Sequence, residues 1–307
     1  MPDIVIFTDD PGWHGARLQE AFAQQGLASV FVSLTDCQLN LSDQGLPLVI
    51  PGFEAQLPIA AFVRGVPGGS LEEVVFYLDV LHGLSLLDVP VYNNGKVIER
   101  SVDKAMTSFL LQTNQLATPQ TWVLRDRQQA VDRVSHELQQ GFRVIVKPVF
   151  GSQGEGIRLI EKESDLIWMA PSQGIYYLQR FIDCQGAGYS DWRVFVINQN
   201  VVAAMRREGL FWLNNVARGA TCRAEILEGA MAALALRATE ALAMDYAGVD
   251  IIVDKEGHYS VIEVNSIPAW KGLQSICYID IAQLLVADLL QRHLFHHTNT
   301  PKSVALK

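Results

Sequence analysis

Two apolar runs, Val249–Val253 and Tyr259–Val264, flank the polar stretch Asp254-Lys255-Glu256-Gly257, so the chain doubles back here as an antiparallel hairpin. Successive side chains of a strand point to opposite faces, which puts Glu263 and Asn265 on the same side. If the four-residue turn pairs Val253 with His258, Asp250 stands opposite Val261 and projects from that face too. Three oxygen donors then converge, two of them anionic. A hard divalent cation favours such a site, with few protein carboxylates and the other positions filled by phosphate oxygens and water. Taken alone, an Asp and a Glu-x-Asn pair are more often exposed residues of an amphipathic hairpin.

Other residues change that balance. Arg143 to Lys147 and Ile157 to Ile160 read as strands joined by Pro148-Val149-Phe150-Gly151-Ser152-Gln153-Gly154-Glu155-Gly156. Gly151, Gly154 and Gly156 let backbone N–H groups approach a phosphate closely. Lys147 ends the first strand within reach of such a phosphate. The loop is not a Walker A loop, because no Gly-Lys-Ser/Thr follows. Lys104, on a helix read over 101–114, is a second candidate cation. Arg193, Arg206, Arg207 and Arg218 crowd one short stretch among Trp192, Phe195, Phe211 and Trp212. Arginine suits planar, bidentate capture of carboxylate or phosphate, although solvated edge arginines would look the same in sequence.

The first hundred residues alternate strand and helix patterns. Ile4 to Phe7, Val30 to Leu34, Ala60 to Val63 and Pro90 to Tyr92 read as strands. Ser70 opens a helix with Glu73 in capping-box spacing and Val74, Leu78 and Leu81 on one face. This is a small α/β lobe with a parallel sheet and no GxGxxG turn. Beyond it come a helix over 126–140, a strand through Tyr176 to Leu178, and an antiparallel pair from Trp192 to Ile197 and Val201 to Met205. A long helix is read over 224–244 and a last one over 280–293. The expected lobes are 1–99, 100–178 and 179–295, with a frayed tail at 296–307.

The 307 residues carry a formal charge of -9 and are 49% hydrophobic. An acidic chain without a long basic face argues against nucleic-acid and anionic-membrane partners. The four cysteines and seven histidines show no metal-ligand spacing. The N-terminus lacks a signal-peptide pattern and no apolar run spans a bilayer, so the expectation is a cytoplasmic protein, with a homo-oligomer left open.

In order, the chain presents Asp103-Lys104, Lys147-Pro148 with the glycine loop, Gln179-Arg180-Phe181-Ile182, Asp191-Trp192-Arg193, and Val202 through Arg207. Asn215-Val216-Ala217-Arg218-Gly219, Gly248-Val249-Asp250 and Glu263-Val264-Asn265-Ser266-Ile267-Pro268 follow. This ordered set resembles the RimK-like branch of the ATP-grasp ligases, over roughly the last two thirds of the chain. The branch includes enzymes that add glutamate to a ribosomal protein or to tetrahydromethanopterin. The resemblance implies an α/β (α+β) ATP-grasp fold behind an N-terminal α/β pre-ATP-grasp domain.

It also implies roles. Lys104 and Lys147 would hold the ATP phosphates, with Gly151, Ser152, Gly154 and Gly156 closing over them. Gln179, Arg180, Phe181 and Ile182 would form the hinge reading adenine, and Arg193 would join the nucleotide site. Asp250, Glu263 and Asn265 would hold Mg2+, with Mn2+ as the alternative. Arg207, Asn215 and Arg218 would face the reacting acyl group. A carboxylate would attack the γ-phosphate of ATP, and an amine would then displace phosphate from the acyl phosphate. Ala220, and the bulky Trp270 after Pro268, depart from the family pattern on the substrate side.

Asp9 to His14 and Phe62 to Gly69 resemble glutamate ligases associated with one-carbon cofactors, which makes His14 and Arg64 candidate substrate contacts. The implied substrates are L-glutamate and a tetrahydromethanopterin- or methylofuran-type acceptor. A protein tail or carrier protein, or a small-molecule kinase reaction, is the alternative.

Overall fold

The computed structural model describes residues 2–42, 45–151, 154–184, 188–212, 221–227 and 229–295. The chain forms two compact units, residues 1–99 with 267–307, and residues 100–266.

The first unit is the expected parallel α/β layer. Its elements are β1 (Ile4–Phe7), α1 (Gly12–Gln24), β2 (Ser29–Val32), the short pair β3 (Gln38–Leu39) and β4 (Leu48–Val49), β5 (Ala60–Val63), α2 (Leu71–Leu86) and β6 (Val91–Tyr92). The sheet order is β2-β1-β5-β6, all parallel. Every residue of β1 and β5 is buried, as expected of strands covered on both faces. Ser70 caps α2 with the reciprocal Glu73 contact of a capping box, and Leu78, Leu81 and Leu84 pack onto the sheet. α3 (Gly95–Val102) follows β6 and leads out of this unit.

The second unit begins with α4 (Lys104–Thr113), β7 (Thr121–Leu124), α5 (Arg127–Gln139), β8 (Val144–Lys147), β9 (Arg158–Ile160) and β10 (Tyr176–Arg180). Its four-stranded antiparallel sheet, β7-β10-β8-β9, packs on α5 through Ala130, Val134, Val144, Val146 and Leu178. A five-stranded antiparallel sheet, β13-β12-β11-β14-β15, is built from β11 (Tyr189–Ile197), β12 (Asn200–Gly209), β13 (Thr221–Ala224), β14 (Tyr246–Val253) and β15 (Tyr259–Asn265). α6 (Gly229–Ala241) packs on it and buries Met231, Ala235 and Ala238.

Past Ser266 the chain belongs to the first unit again, through α7 (Lys271–Gln274), α8 (Ile281–Leu289) and one π-helical turn, Leu290–Phe295. Arg17 of α1 is ion-paired to Asp280, which also caps α8. Residues 179–295, read as one lobe in the sequence, are thus divided between the two units.

Three local readings are corrected. The helix read over 101–114 is broken at Asp103, whose backbone is extended and whose carboxylate accepts the N–H groups of Ala105 and Met106. A capping aspartate competes with the helix ladder and starts a new helix at Lys104. The helix read over 224–244 is shorter, because Thr221–Ala224 pairs with β12 instead. The β14–β15 register also differs: Val253 pairs with Tyr259, and an irregularity after Asp250 sets that residue opposite Glu263 rather than Val261. The two carboxylates share a face, as expected, but as direct cross-strand neighbours.

Candidate active site

The site is built wholly within residues 100–266. Capping by Asp103 places Lys104 first on α4, and its Nζ donates to the Gly151 carbonyl at 2.5 Å. Lys147 ends β8, and its Nζ donates to Gln179 Oε1 at 2.6 Å. The Gln179 amide in turn donates to Thr121 Oγ1 at 3.0 Å and Tyr177 OH at 3.3 Å, and Tyr177 OH meets Ser108 Oγ at 2.7 Å. Gln179 is therefore a buried bracket that aims one lysine.

Burial lowers the Lys147 pKa to about 8, with Glu263 opposing the shift and Lys104 adding to it. Burial lowers Lys104 as well, against the pull of Glu263 and Asp103. Two half-dehydrated cations beside one carboxylate form a ready seat for a polyanion. In the glycine loop, Gly156 has φ +69°, and a Cβ there would meet Pro148 at 3.0 Å, so a side chain would be both strained and crowded. Ser152 lies outside the described residues.

The five-stranded sheet carries a row of charges on one face. Asp191 pairs in register with Arg207, Arg193 with Asp250, and Asp250 with Glu263. Arg193 grips both Asp250 oxygens, at 2.7 Å on Oδ2. Arg207 reaches Asp191 and also Asp250, the latter at 3.0 Å. Asp191, Arg207 and Asp250 are only 6%, 5% and 4% exposed. Burial works to raise Asp250, but Arg193 and Arg207 outweigh it and hold the carboxyl below its ordinary range. Burial prevails at Asp191, whose pKa rises to about 6 against the attraction of Arg207. Burial would lower Arg207, yet Asp250 and Asp191 raise it. Two acids and two arginines thus form a buried quartet with no net charge when all four are ionised. In sequence, Asp191 stands only as part of Asp191-Trp192-Arg193, with no role of its own. Its cross-strand parity with Arg207 is the signal that could have found it.

The expected hinge is divided. The Arg180 guanidinium is held by buried Glu137 at 2.9 and 2.6 Å and lies over the Phe142 ring at 3.7 Å. The N–H groups of Arg180 and Phe181 donate to the carbonyls of Gln120 and Arg143. Contacts from this segment to a base would fall to its carbonyls or to half-buried Ile182.

A model of the RimK-like ATP-grasp domain matches residues 101–289. The chain belongs to the RimK-like ATP-grasp family. It is 33% identical over 237 residues to a tetrahydromethanopterin:alpha-L-glutamate ligase of Methanococcus maripaludis, covering 75% of this chain and 78% of that one. It is 35% identical over 239 residues to the Methanocaldococcus jannaschii protein of that name, with coverage of 75% and 78%. Among solved structures, the ATP-grasp ligase PsnB in complex with a minimal precursor superposes with a TM-score of 0.73 at 21% identity, covering 95% and 99% of the two chains. This protein is an ATP-dependent carboxylate–amine ligase.

The ligase family implies ATP and a divalent cation, and the donor set suits such an ion. The Glu263 carboxylate has no hydrogen-bond or ion-pair partner among the described residues. The Asn265 amide nitrogen donates to the Gly248 carbonyl at 3.3 Å, leaving Oδ1 as an open donor on the same face. Asp250 differs: both of its oxygens are held by guanidinium groups, so it can join a cation only by sharing them. Asn215 and Arg218, the other expected acyl-group contacts, lie outside the described residues. His14 and Arg64 belong to the other unit. No helix among the described residues is long and apolar enough to cross a membrane.

Proposed function

We propose that this ligase joins L-glutamate to a carboxylate of a tetrahydromethanopterin-type acceptor, with a methylofuran-type acceptor as the nearest relative, through an acyl phosphate. The observation that carries the substrate is the one-third identity to two ligases of that name across three quarters of the chain. The site supports the chemistry. Lys104 and Lys147 seat the ATP phosphates, and Gln179 keeps the second ammonium aimed. Glu263 and Asn265 hold the divalent cation, with Asp250 flanking. When bound, such an ion neutralises phosphate charge.

The acceptor carboxylate attacks the γ-phosphate in line, and ADP leaves. The amine of glutamate then adds to the acyl carbon, and phosphate departs as the amide forms. The protein supplies no nucleophile. Arg207, kept charged by Asp191 and Asp250, stabilises the oxyanion that develops as the amine adds. Arg193 fixes Asp250. The positions of charge are set before substrates arrive, so little reorganisation accompanies the step.

The test is ADP release with purified protein, ATP, a magnesium salt, L-glutamate and tetrahydromethanopterin. Release should require both glutamate and acceptor, and the acceptor should gain one glutamyl residue by mass. Heavy oxygen placed in the acceptor carboxylate should appear in inorganic phosphate. Release with acceptor alone would indicate a kinase, and heavy oxygen in AMP would indicate adenylation.

A further inference from the structure

Lys104 and Lys147 stand on separate elements, α4 and β8, and a seat for phosphates needs both ammoniums at a set spacing. The link between those elements runs through Tyr177, a residue with no role in the reaction above. Tyr177 is the cross-strand partner of Lys147 on one side and of Val123 on the other. Gln179, two positions on, shares its face. Tyr177 is 2% exposed, so its hydroxyl must find partners within the protein.

The hydrogen bonds fix which way the buried amide of Gln179 points. Thr121 Oγ1 donates to the Pro119 carbonyl at 2.8 Å, so toward Gln179 it can only accept. The Gln179 amide nitrogen gives its two N–H groups to Thr121 Oγ1 and Tyr177 OH, at 3.0 and 3.3 Å. Oε1 is thereby left facing Lys147, whose ammonium carries donors only. Turned over, the amide would point N–H groups at the lysine and a carbonyl at a threonine hydroxyl with no proton to give. Tyr177 thus helps to hold the amide in the one orientation that accepts from Lys147. Burial raises the Tyr177 pKa, with Glu263 and Asp103 adding to it against the Ser108 and Thr121 hydrogen bonds, so the phenol stays neutral.

The other arm of Tyr177 reaches the first lysine. Its OH meets Ser108 Oγ at 2.7 Å. Ser108 lies four residues after Lys104, one turn on and on the same side of α4. This bond pins the start of α4 to the sheet that carries Lys147. Lys104 is also tied at its own position, where its N–H donates to the Val149 carbonyl at 3.3 Å. One buried phenol therefore joins both cations, through Ser108 to the helix of Lys104 and through Gln179 to the tip of Lys147. Like charges repel, and Lys104 already works against the charge of Lys147, so the pair keeps its spacing only if the two elements are tied.

We propose that the Tyr177 hydroxyl sets the spacing and aim of the two lysines that seat the ATP phosphates. Tyr177 acts through Ser108 and Gln179, as a positioning residue. The inference rests on the assignment of Lys104 and Lys147 to the phosphates, and its test separates the two.

ATP affinity is measured by calorimetry, and the KM for ATP, L-glutamate and tetrahydromethanopterin by ADP release, on full-length variants. Tyr177→Phe keeps the ring and removes the hydroxyl, and should weaken ATP binding about five- to tenfold. Ser108→Ala should weaken it about threefold, and Ser108→Thr, which keeps a hydroxyl, should restore most of that loss. The Tyr177→Phe/Ser108→Ala double variant should match Tyr177→Phe alone, because both changes act on one link. The KM for L-glutamate and for tetrahydromethanopterin should stay at the wild-type value, which a general loosening of the fold would not allow. If Tyr177→Phe fails a thermal-unfolding check, half-buried Ser108 carries the test through its two variants. Wild-type ATP affinity in Tyr177→Phe and Ser108→Ala, losses that multiply in the double variant, or a KM rise shared by all three substrates overturns the proposal. Should Lys104→Met and Lys147→Met bind ATP like wild type, the phosphate assignment itself falls. ATP affinity lost in those two variants but kept in Tyr177→Phe and Ser108→Ala overturns the role of Tyr177 alone.

Discussion

The arginines of the two units sit in contrasting surroundings. In residues 100–266, Arg193 and Arg207 are locked against Asp250 and Asp191 on a sheet face, where Arg207 and both acids are buried and Arg193 is partly so. In the other unit, Arg64 lies on an aromatic ring and donates to a carbonyl, and the nearby Lys271 has no acid partner among the described residues. A buried, neutralised quartet offers fixed orientation: its field is set by the fold and changes little when solvent or salt changes. Lys271, by contrast, is exposed, so water and salt screen its charge. Substitutions in the two places should therefore fail differently.

The largest expected effect breaks the reaction centre without unfolding it. Glu263 carries the carboxylate that no described residue satisfies, so Glu263→Gln should lower kcat about a thousandfold or more while ATP is still bound. Steady-state ADP release and nucleotide titration would show it. Near wild-type turnover would remove Glu263 from the cation site and leave the hairpin as structure.

Next comes the quartet. Arg207→Leu strands Asp191 and leaves Asp250 to Arg193 alone, and removing one partner of a buried ion pair typically costs about 3–5 kcal/mol. Urea unfolding should report a loss of that size. Asp191→Asn should cost less, because Arg207 keeps Asp250. Equal losses would mean that the Asp250 contact contributes little.

These differences could be anticipated only in part from sequence. The parallel sheet, the Ser70–Glu73 cap and the shared face of Asp250, Glu263 and Asn265 were legible because each rests on local spacing. The register of β14 against β15 was not, because the irregularity after Asp250 leaves no composition signal. Nor was the ion pair of Arg180 with Glu137, since the acid interrupts the apolar stripe of α5 and its partner is 43 positions away. The quartet depends on three strands meeting in register, a nonlocal fact that residue types alone do not carry. Asp103 had the cap signature, yet the helical pattern around it masked the break.

A smaller effect sharpens the contrast within the reaction unit. Gln179 offers one neutral acceptor to Lys147, worth about 1 kcal/mol, so Gln179→Leu should raise the KM for ATP roughly fivefold. Gln179→Glu should instead hold the lysine more tightly and slow its transfer to phosphate, lowering kcat. A KM change with no difference between the two variants would assign Gln179 to packing alone.

The last effect belongs to His14 and appears only at acid pH. His14 accepts two backbone N–H groups and faces Arg64 and Lys271, so its neutral form is the one the fold holds. Its pKa lies near 4 in the folded protein against an ordinary 6.5. Between those values the unfolded chain binds the proton and the folded chain does not, so protonation favours unfolding as the pH falls. The stability His14 contributes is complete above about 6.5, is lost progressively toward about 4, and falls no further below that. His14→Gln keeps an acceptor oxygen but cannot titrate, so it removes this acid-linked loss. The melting temperature of wild type should therefore drop more steeply than that of His14→Gln as the pH is lowered through this window, and the two curves should run parallel below it. Parallel curves throughout would mean that His14 is not held neutral by the fold, and its role in holding the Trp270 and Lys271 backbone would lose its support.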